Sequence, residues 1–229
     1  MIKNLKNKRK VAIYGAGFQG RIVFEILQKC KCFDILYFID DFFKGDYLYN
    51  IPVIKNYEIS SKINIVLAIG NDDYDKIQIK KNIINKIDLE FINAIDTSSI
   101  VSKYAVLGKN IICHPNTVIM TGSKIGNFSI ISTGSCIDHD NVLESFANIC
   151  PGVRTAGNVH IGTGVFLGTG AIILPKVKIG QYAIIGAGAV VTNDIPAFAT
   201  AVGVPARIIK RGLKPKLNLK VNNYVVGSH

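Results

Sequence analysis

The sequence contains no apolar run approaching the roughly 18 residues of a transmembrane helix, although 48% of its 229 residues are apolar. Its charged start, MIKNLKNKRK, is followed only by Val11–Tyr14 before a glycine turn, so the apolar core of a secretory signal is lacking. The five cysteines (Cys30, Cys32, Cys113, Cys136, Cys150) are odd in number and without CxxC spacing. That speaks against a disulfide framework and against a structural zinc site. Charged residues are only 19%, too few for a disordered tail, and the length suffices for one large or two small domains with a proper core. A packed cytoplasmic protein is expected, with no integral membrane association and no metal.

Acidic side chains are missing from both ends, and this explains the formal net charge of +11. Residues 1–10 carry five basic side chains and no acid, residues 205–229 carry six and no acid, and the residues between them balance. A nucleic-acid-binding domain should instead present its charge on a folded face, interleaved with aromatics. Two solvated basic ends are the expected reading, and nucleic acid is not an expected partner.

What is present changes character near residue 96. In the first half, apolar bursts alternate with polar, helix-like stretches. Strands are expected over Lys10–Tyr14, Ile35–Ile39, Ile63–Ile69 and Leu89–Ile92, with helices over Gln19–Lys29 and Asp72–Lys86. Continuous apolar strands separated by helices imply a parallel sheet covered by helices. The second half repeats every six residues. Ile100, Val106, Ile112 and Val118 are followed, after one apparent extra residue, by Ile125, Ile131, Ile137, Leu143, Ile149, Thr155, Ile161, Leu167, Ile173, Ile179, Ile185 and Val191. A second row of mostly small or β-branched residues lies four positions on, from Ser129, Ser135 and Asn141 to Ala189 and Ile195. One aliphatic and one small residue per six, both pointing inward, describe a stacked solenoid. The expected organisation is an α/β domain over 1–95, a solenoid over 96–204 and a basic tail over 205–229.

Within the first half, Gly15-Ala16-Gly17-Phe18-Gln19-Gly20 follows a strand and opens a helix, and Asp40 ends the next strand. This is a dinucleotide fingerprint: glycines permit the turn and close backbone approach, free N–H groups face phosphate, and an acid faces ribose. By itself it indicates NAD and an oxidoreductase. Two facts oppose that reading. About 95 residues make little more than one mononucleotide-binding half, and a solenoid offers no cleft for hydride transfer.

Among the four histidines, His229 is terminal, and His114 and His160 read as solvated repeat residues. His139 lies in Cys136-Ile137-Asp138-His139-Asp140-Asn141, at a corner between inward residues, beside carboxylates that can orient an imidazole and stabilise its charged form. If three hexads make one coil, the residue stacked on His139 is Gly157. Its N–H, unobstructed by a side chain, could face a thioester oxygen and hold the oxyanion.

Val106–Val204 resembles the hexapeptide-repeat left-handed β-helix of acyltransferases, and AVVTNDIPAFATAVGVPARII resembles that family's last coil and exit. Taken with the first half, the chain is similar to sugar acetyltransferases of the sialic-acid-synthesis and bacillosamine-pathway type. The resemblance implies a Rossmann-like α/β domain holding a nucleotide-linked sugar, a homotrimer, and acetyl-CoA bound between neighbouring β-helices. Ser132–Asp140 resembles the family's active-site coil, which implies that His139 is the general base, with Asp140 beside it. It further implies that the nucleotide sugar lies against Gly15, Gly17, Gln19 and Gly20, with Asp40 and Asp41 on base or ribose and Gly70 and Asn71 completing the pocket. For acetyl-CoA it implies Asn148 (where some relatives have a second histidine), Thr169 and Ala187 on the pantetheine track, and Arg207 on a phosphate. The expected activity is N-acetylation of a nucleotide-linked 4-amino-4,6-dideoxy sugar for surface glycan assembly. O-acetylation of sialic acid or a related nonulosonate, an NAD-dependent oxidoreductase and a non-catalytic scaffold stay open as alternatives.

Overall fold

A computed structural model describes residues 8–55, 63–86 and 90–212. Most of the two basic ends (residues 1–7 and 213–229) and Leu89 of the expected fourth strand lie outside them.

The α/β domain is built from β1 (Arg9–Tyr14), α1 (Phe18–Cys30), β2 (Phe33–Ile39), β3 (Tyr47–Leu48), β4 (Ile51–Ile54), β5 (Asn64–Leu67), α2 (Tyr74–Lys86) and β6 (Glu90–Phe91). The sheet order is β3-β4-β2-β1-β5-β6, parallel except for the β3–β4 hairpin, which the sequence pattern did not disclose. Val11, Ala12, Ile13, Ile65, Val66 and Leu67 are wholly buried, as strands covered on both faces require. Helix α1 is buried along Val23, Phe24, Ile26 and Leu27 and forms a layer between this sheet and the solenoid. The cysteine expectation is corrected at its end. Lys31 adopts the left-handed conformation that closes the helix (φ 57°), and this folds the chain back so that Cys30 and Cys32 are joined by a disulfide.

From Ala94 the chain winds as a parallel β-helix whose paired strands are one coil apart, Ile112 on Ile130 and Ile130 on Asn148. Each coil has three two-residue strands, so the molecule has three faces. Face I begins with Ala94–Ile95, Ile112–Cys113 and Ile130–Ile131; face II with Ile100–Val101, Val118–Ile119 and Cys136–Ile137; face III with Val106–Leu107, Lys124–Ile125 and Val142–Leu143. The inward rows meet in one continuous core, Ile137, Leu143, Ile149, Ile161 and Leu167 with Ala147, Val153, Val159 and Val165. The apparent extra residue near 120 does not exist. Strands start every six residues from Ala94 to Val190, and in the first coils the inward side chains are Val101, Leu107, Cys113 and Ile119, one position later than the sequence phase suggested. The outward Ile100 and Val106 are 65% and 60% exposed; being aliphatic, they imitated the core row.

The domain boundaries also move. The solenoid starts at Ala94 rather than 96, and the expected tail begins with a strand, Arg207–Arg211, paired antiparallel to Ala199–Val202 on face I.

The α/β domain covers face I and the corner between faces III and I. Ile112 and Ile130 of face I pack into the α1 core. At the corner, Phe128 stacks on Phe146 with ring centroids 5.4 Å apart, against Leu67, Ile69 and Ile77. Lys29 Nζ donates to Asp96 Oδ2 at 2.9 Å, tying the far end of α1 to the first coil. The corner between faces II and III is the vertex opposite face I, and among the described residues it is left bare.

Candidate active site

His139 stands on that bare corner, just past the face II strand Cys136–Ile137. Asp140 follows in the left-handed conformation (φ 55°), which turns the chain onto face III. The corner is stacked by a backbone ladder: Asp140 N–H donates to Thr121 O, Asn158 N–H to His139 O and Lys176 N–H to Gly157 O. Gly157 therefore lies directly beneath His139, as the eighteen-residue spacing requires. A Cβ added to Gly157 would fall on His139 Nε2, so only glycine leaves the ring its place.

The imidazole is half exposed, and its Nδ1 is 2.9 Å from Asp140 Oδ2. A carboxylate only accepts, so Nδ1 carries the proton and Nε2 is left with a lone pair over Gly157. The hydrogen bond to Asp140 raises the His139 pKa above its ordinary 6.5, and the charges of Asp138 and Asp140 add to that against partial desolvation. Gly157 N–H has no partner among the described residues. A base lone pair and a free backbone donor thus share one corner.

Beneath it the apolar core is interrupted. Thr155 occupies an aliphatic row and Asn141 the small row, both buried. Asn141 Nδ2 donates to Asp138 O (2.6 Å), Thr155 Oγ1 (3.1 Å) and Ala156 O (3.0 Å), while Asn141 Oδ1 accepts from Val159 N–H. Thr155 Oγ1 also accepts from Asp138 N–H at 3.3 Å. This cross-brace fixes the backbone on either side of His139. Thr155 was visible in sequence as the break in an otherwise aliphatic row, but nothing there identified it as a brace.

The glycine turn has the form expected of a phosphate cradle. Gly15 takes φ 109° with its Cα side against Ala68 O, and α1 starts after Gly17 with no side-chain cap. The N–H groups of Gly17, Phe18, Gln19 and Gly20 have no partner among the described residues. Two residues expected in the nucleotide-sugar pocket are engaged within the chain. Asp40 commits both carboxylate oxygens to backbone donors: Ala16 N–H on Oδ2 at 2.8 Å, and Phe42 and Phe43 N–H on Oδ1 at 3.0 and 3.2 Å. It joins the turn to the loop after β2, leaving Asp41, next in that loop, as the carboxylate less enclosed. Asn71 is also enclosed. Its side chain donates to Phe128 O at 2.8 Å and accepts from Lys80 Nζ at 2.6 Å, clamping the two domains. Gly70 stays partly exposed at the rim.

The four residues expected at acetyl-CoA adjoin face I. Asn148 points outward on that face between Ile130 and Phe166, Thr169 and Ala187 occupy successive corners between faces I and II, and Arg207 is exposed on the last strand. None of them meets His139 or Gly157 within one chain. His160, read as a solvated repeat residue, is on face III with Nε2 3.3 Å from Glu144 Oε1. His114 departs from that reading, being only 6% exposed and 3.0 Å from the Gln19 side chain.

Two families match this chain: the PglD N-terminal domain over residues 10–87 and the bacterial transferase hexapeptide (six repeats) over residues 158–193. The chain is 32% identical over 219 residues to GDP-perosamine N-acetyltransferase of Escherichia coli O157:H7, spanning 87% of this chain and 96% of that one. It is 36% identical over 119 residues to serine acetyltransferase of Haemophilus influenzae, and there it spans about half the relative's length (45%). Among solved structures, the acetyltransferase domain of PglB from Neisseria gonorrhoeae, in complex with acetyl coenzyme A, superposes with a TM-score of 0.80 at 29% identity, covering 89% of this chain and 100% of that one. PerB from Caulobacter crescentus, in complex with CoA and GDP-perosamine, superposes with a TM-score of 0.78 at 30% identity, covering 88% and 97%.

Proposed function

Because the chain belongs to the hexapeptide acetyltransferases that carry a PglD-type N-terminal domain, we propose that it moves the acetyl group of acetyl-CoA onto the amine of a nucleotide-linked 4-amino-4,6-dideoxy sugar, a step of surface glycan biosynthesis. The observation that carries the reading is the corner where His139 Nε2 faces outward over the unpartnered Gly157 N–H. There the neutral sugar amine attacks the thioester carbonyl and gives its proton to Nε2. The Gly157 N–H donates to the oxyanion, the C–S bond breaks, and the CoA thiolate leaves with the proton returned by His139. Asp140 holds the Nδ1–H tautomer and stabilises the imidazolium between the two transfers. No covalent enzyme intermediate is required.

The working unit is a homotrimer. The α/β domain covers face I, whereas His139 stands on the opposite vertex. A nucleotide sugar on the Gly15–Gly20 turn therefore reaches the base of a neighbouring chain, and so does acetyl-CoA lying along Asn148, Thr169, Ala187 and Arg207. Phosphates sit on the free N–H groups at the start of α1. Asp41, rather than Asp40, faces the base or ribose.

Thiol release from acetyl-CoA, followed against UDP-, dTDP- and GDP-linked 4-amino sugars with free sialic acid as control, tests this directly. Turnover with an amino sugar is expected, with kcat reduced about 10²–10⁴-fold in His139→Ala while that variant still binds acetyl-CoA. Turnover with sialic acid alone moves the reading to O-acetylation. A fully active His139→Ala protein removes the proposed base.

A further inference from the structure

His114 belongs to the solenoid, at the start of the corner between faces I and II, yet it meets the glycine turn of the α/β domain, 95 residues away in sequence. The contact joins Gln19 Nε2 and His114 Nε2 at 3.0 Å. An amide nitrogen can only donate, so the imidazole nitrogen accepts and the ring is the neutral Nδ1–H form. Burial enforces neutrality. Despite the nearby Asp96 charge, desolvation lowers the His114 pKa to about 4. Asp96 itself is taken up by Lys29 Nζ, Ser98 N–H and Ser98 Oγ–H. The ring therefore stays an acceptor toward Gln19 across the working range of pH.

The consequence concerns the other end of the Gln19 amide. With Nε2 held by His114, Oε1 has no partner among the described residues and is presented in the first turn of α1. A phosphate at that helix start offers acceptors only, so Oε1 cannot pair with it. The groups of a nucleotide sugar that can donate, next to its phosphates, are the hydroxyls of the ribose, which Asp41 takes in the reading above, and the hydroxyls or amine of the hexose. We infer that His114 is a positioning residue for sugar selection: it fixes the Gln19 amide so that Oε1 accepts from a hydroxyl or amine of the sugar while the helix start holds the phosphates. This rests on the nucleotide-sugar reading above and adds a solenoid residue to the recognition of the sugar itself.

The test measures equilibrium binding of GDP-, UDP- and dTDP-linked 4-amino-4,6-dideoxyhexoses, each beside its bare nucleoside diphosphate, to the full chain. His114→Ala should weaken the preferred nucleotide sugar by about fivefold or more, the scale of one hydrogen bond, and leave the bare diphosphate within about twofold. His114→Gln, whose amide oxygen can reach the same position, should restore the wild-type affinity. The double variant Gln19→Ala/His114→Ala should bind no more weakly than Gln19→Ala alone, because one residue acts through the other. Thermal midpoints of all variants exclude misfolding as the cause. Equal losses for sugar and bare diphosphate, additive losses in the double variant, or an unchanged His114→Ala protein each overturn the inference, while turnover by the wild type leaves the acetyltransferase reading standing. A wild-type chain that binds none of the nucleotides overturns both.

Discussion

The covered and bare sides of the solenoid use the same hexad, yet their surroundings shift titrating side chains in opposite directions. On the covered side, His114 of the solenoid is pushed down to about 4 and the buried Lys80 of α2 to about 7, both mainly by removal of water. On the bare side, His139 is raised by its bond to Asp140. Both histidines sit past a two-residue strand of the same coil type, so the coil alone does not decide the direction. What packs over the coil decides it. The same contrast separates the roles assigned above, with neutral hydrogen-bonding groups under the α/β domain and a proton acceptor on the exposed vertex.

The sharpest way to break the contrast is at Gly157. Gly157→Ala places a methyl where the His139 ring lies; kcat should fall on the order of a hundredfold or more, with the melting temperature little changed, because the half-exposed ring has room to swing aside. Near-normal turnover in steady-state kinetics would mean that the position of the ring over Gly157 does not matter. Asp140→Asn addresses the electrostatics. The base works only when unprotonated, so activity falls as pH drops through the His139 pKa, which lies above 6.5 in the wild type. Removing the carboxylate lowers that pKa, and the acid limb of the kcat/KM profile should move to lower pH. A limb that stays in place would assign it to another group.

The covered side has a stability signature. Folded Lys80 titrates near 7 and the unfolded lysine near 10.5. Between those values the unfolded chain binds the extra proton, so this lysine makes the fold more stable as pH rises and least stable below about 7. Lys80→Met removes the titrating group, and the denaturation midpoint of the wild type relative to this variant should climb between pH 7 and pH 9. A constant difference would contradict a neutralised lysine. The smallest effect is expected at the brace. Thr155→Val leaves the Asp138 N–H and one Asn141 bond without the hydroxyl, at a cost of about 1–3 kcal/mol in stability with a few-fold loss of kcat. An unchanged Tm would show that the brace is dispensable.

Sequence reading reached the bare side more fully than the covered side, for a physical reason. His139 and Gly157 are one coil length apart, so periodicity alone stacks them, and Asp140 is the chain neighbour of His139. The six-residue period likewise reported the solenoid, although outward aliphatics such as Ile100 and Val106 shifted its apparent phase. The covered side is assembled from residues without a shared period. Gln19 with His114, Asn71 with Phe128, and Lys29 with Asp96 are joined only when two domains dock. Asp40 shows the same limit within the turn: its type and spacing suit a ribose ligand, but backbone donors from two loops converge on it first. Asn141 and Thr155 were noticed as members of rows, and their cross-bonding emerges only from three-dimensional stacking.

The central claim is that the base of one chain serves the nucleotide domain of another. Mixing two inactive variants tests it: His139→Ala, lacking the base, and Gly17→Asp, which places a negative charge in the open space of the phosphate turn. The two chains, unfolded and refolded together in equal amounts, are assayed by thiol release from acetyl-CoA with the preferred nucleotide amino sugar. Random trimers with sites shared between neighbours should regain roughly a quarter of wild-type activity, because one in four sites then pairs an intact base with an intact turn. Mixtures as inactive as the separate variants, in trimers shown to contain both chains, would place base and nucleotide sugar in the same chain and contradict the account.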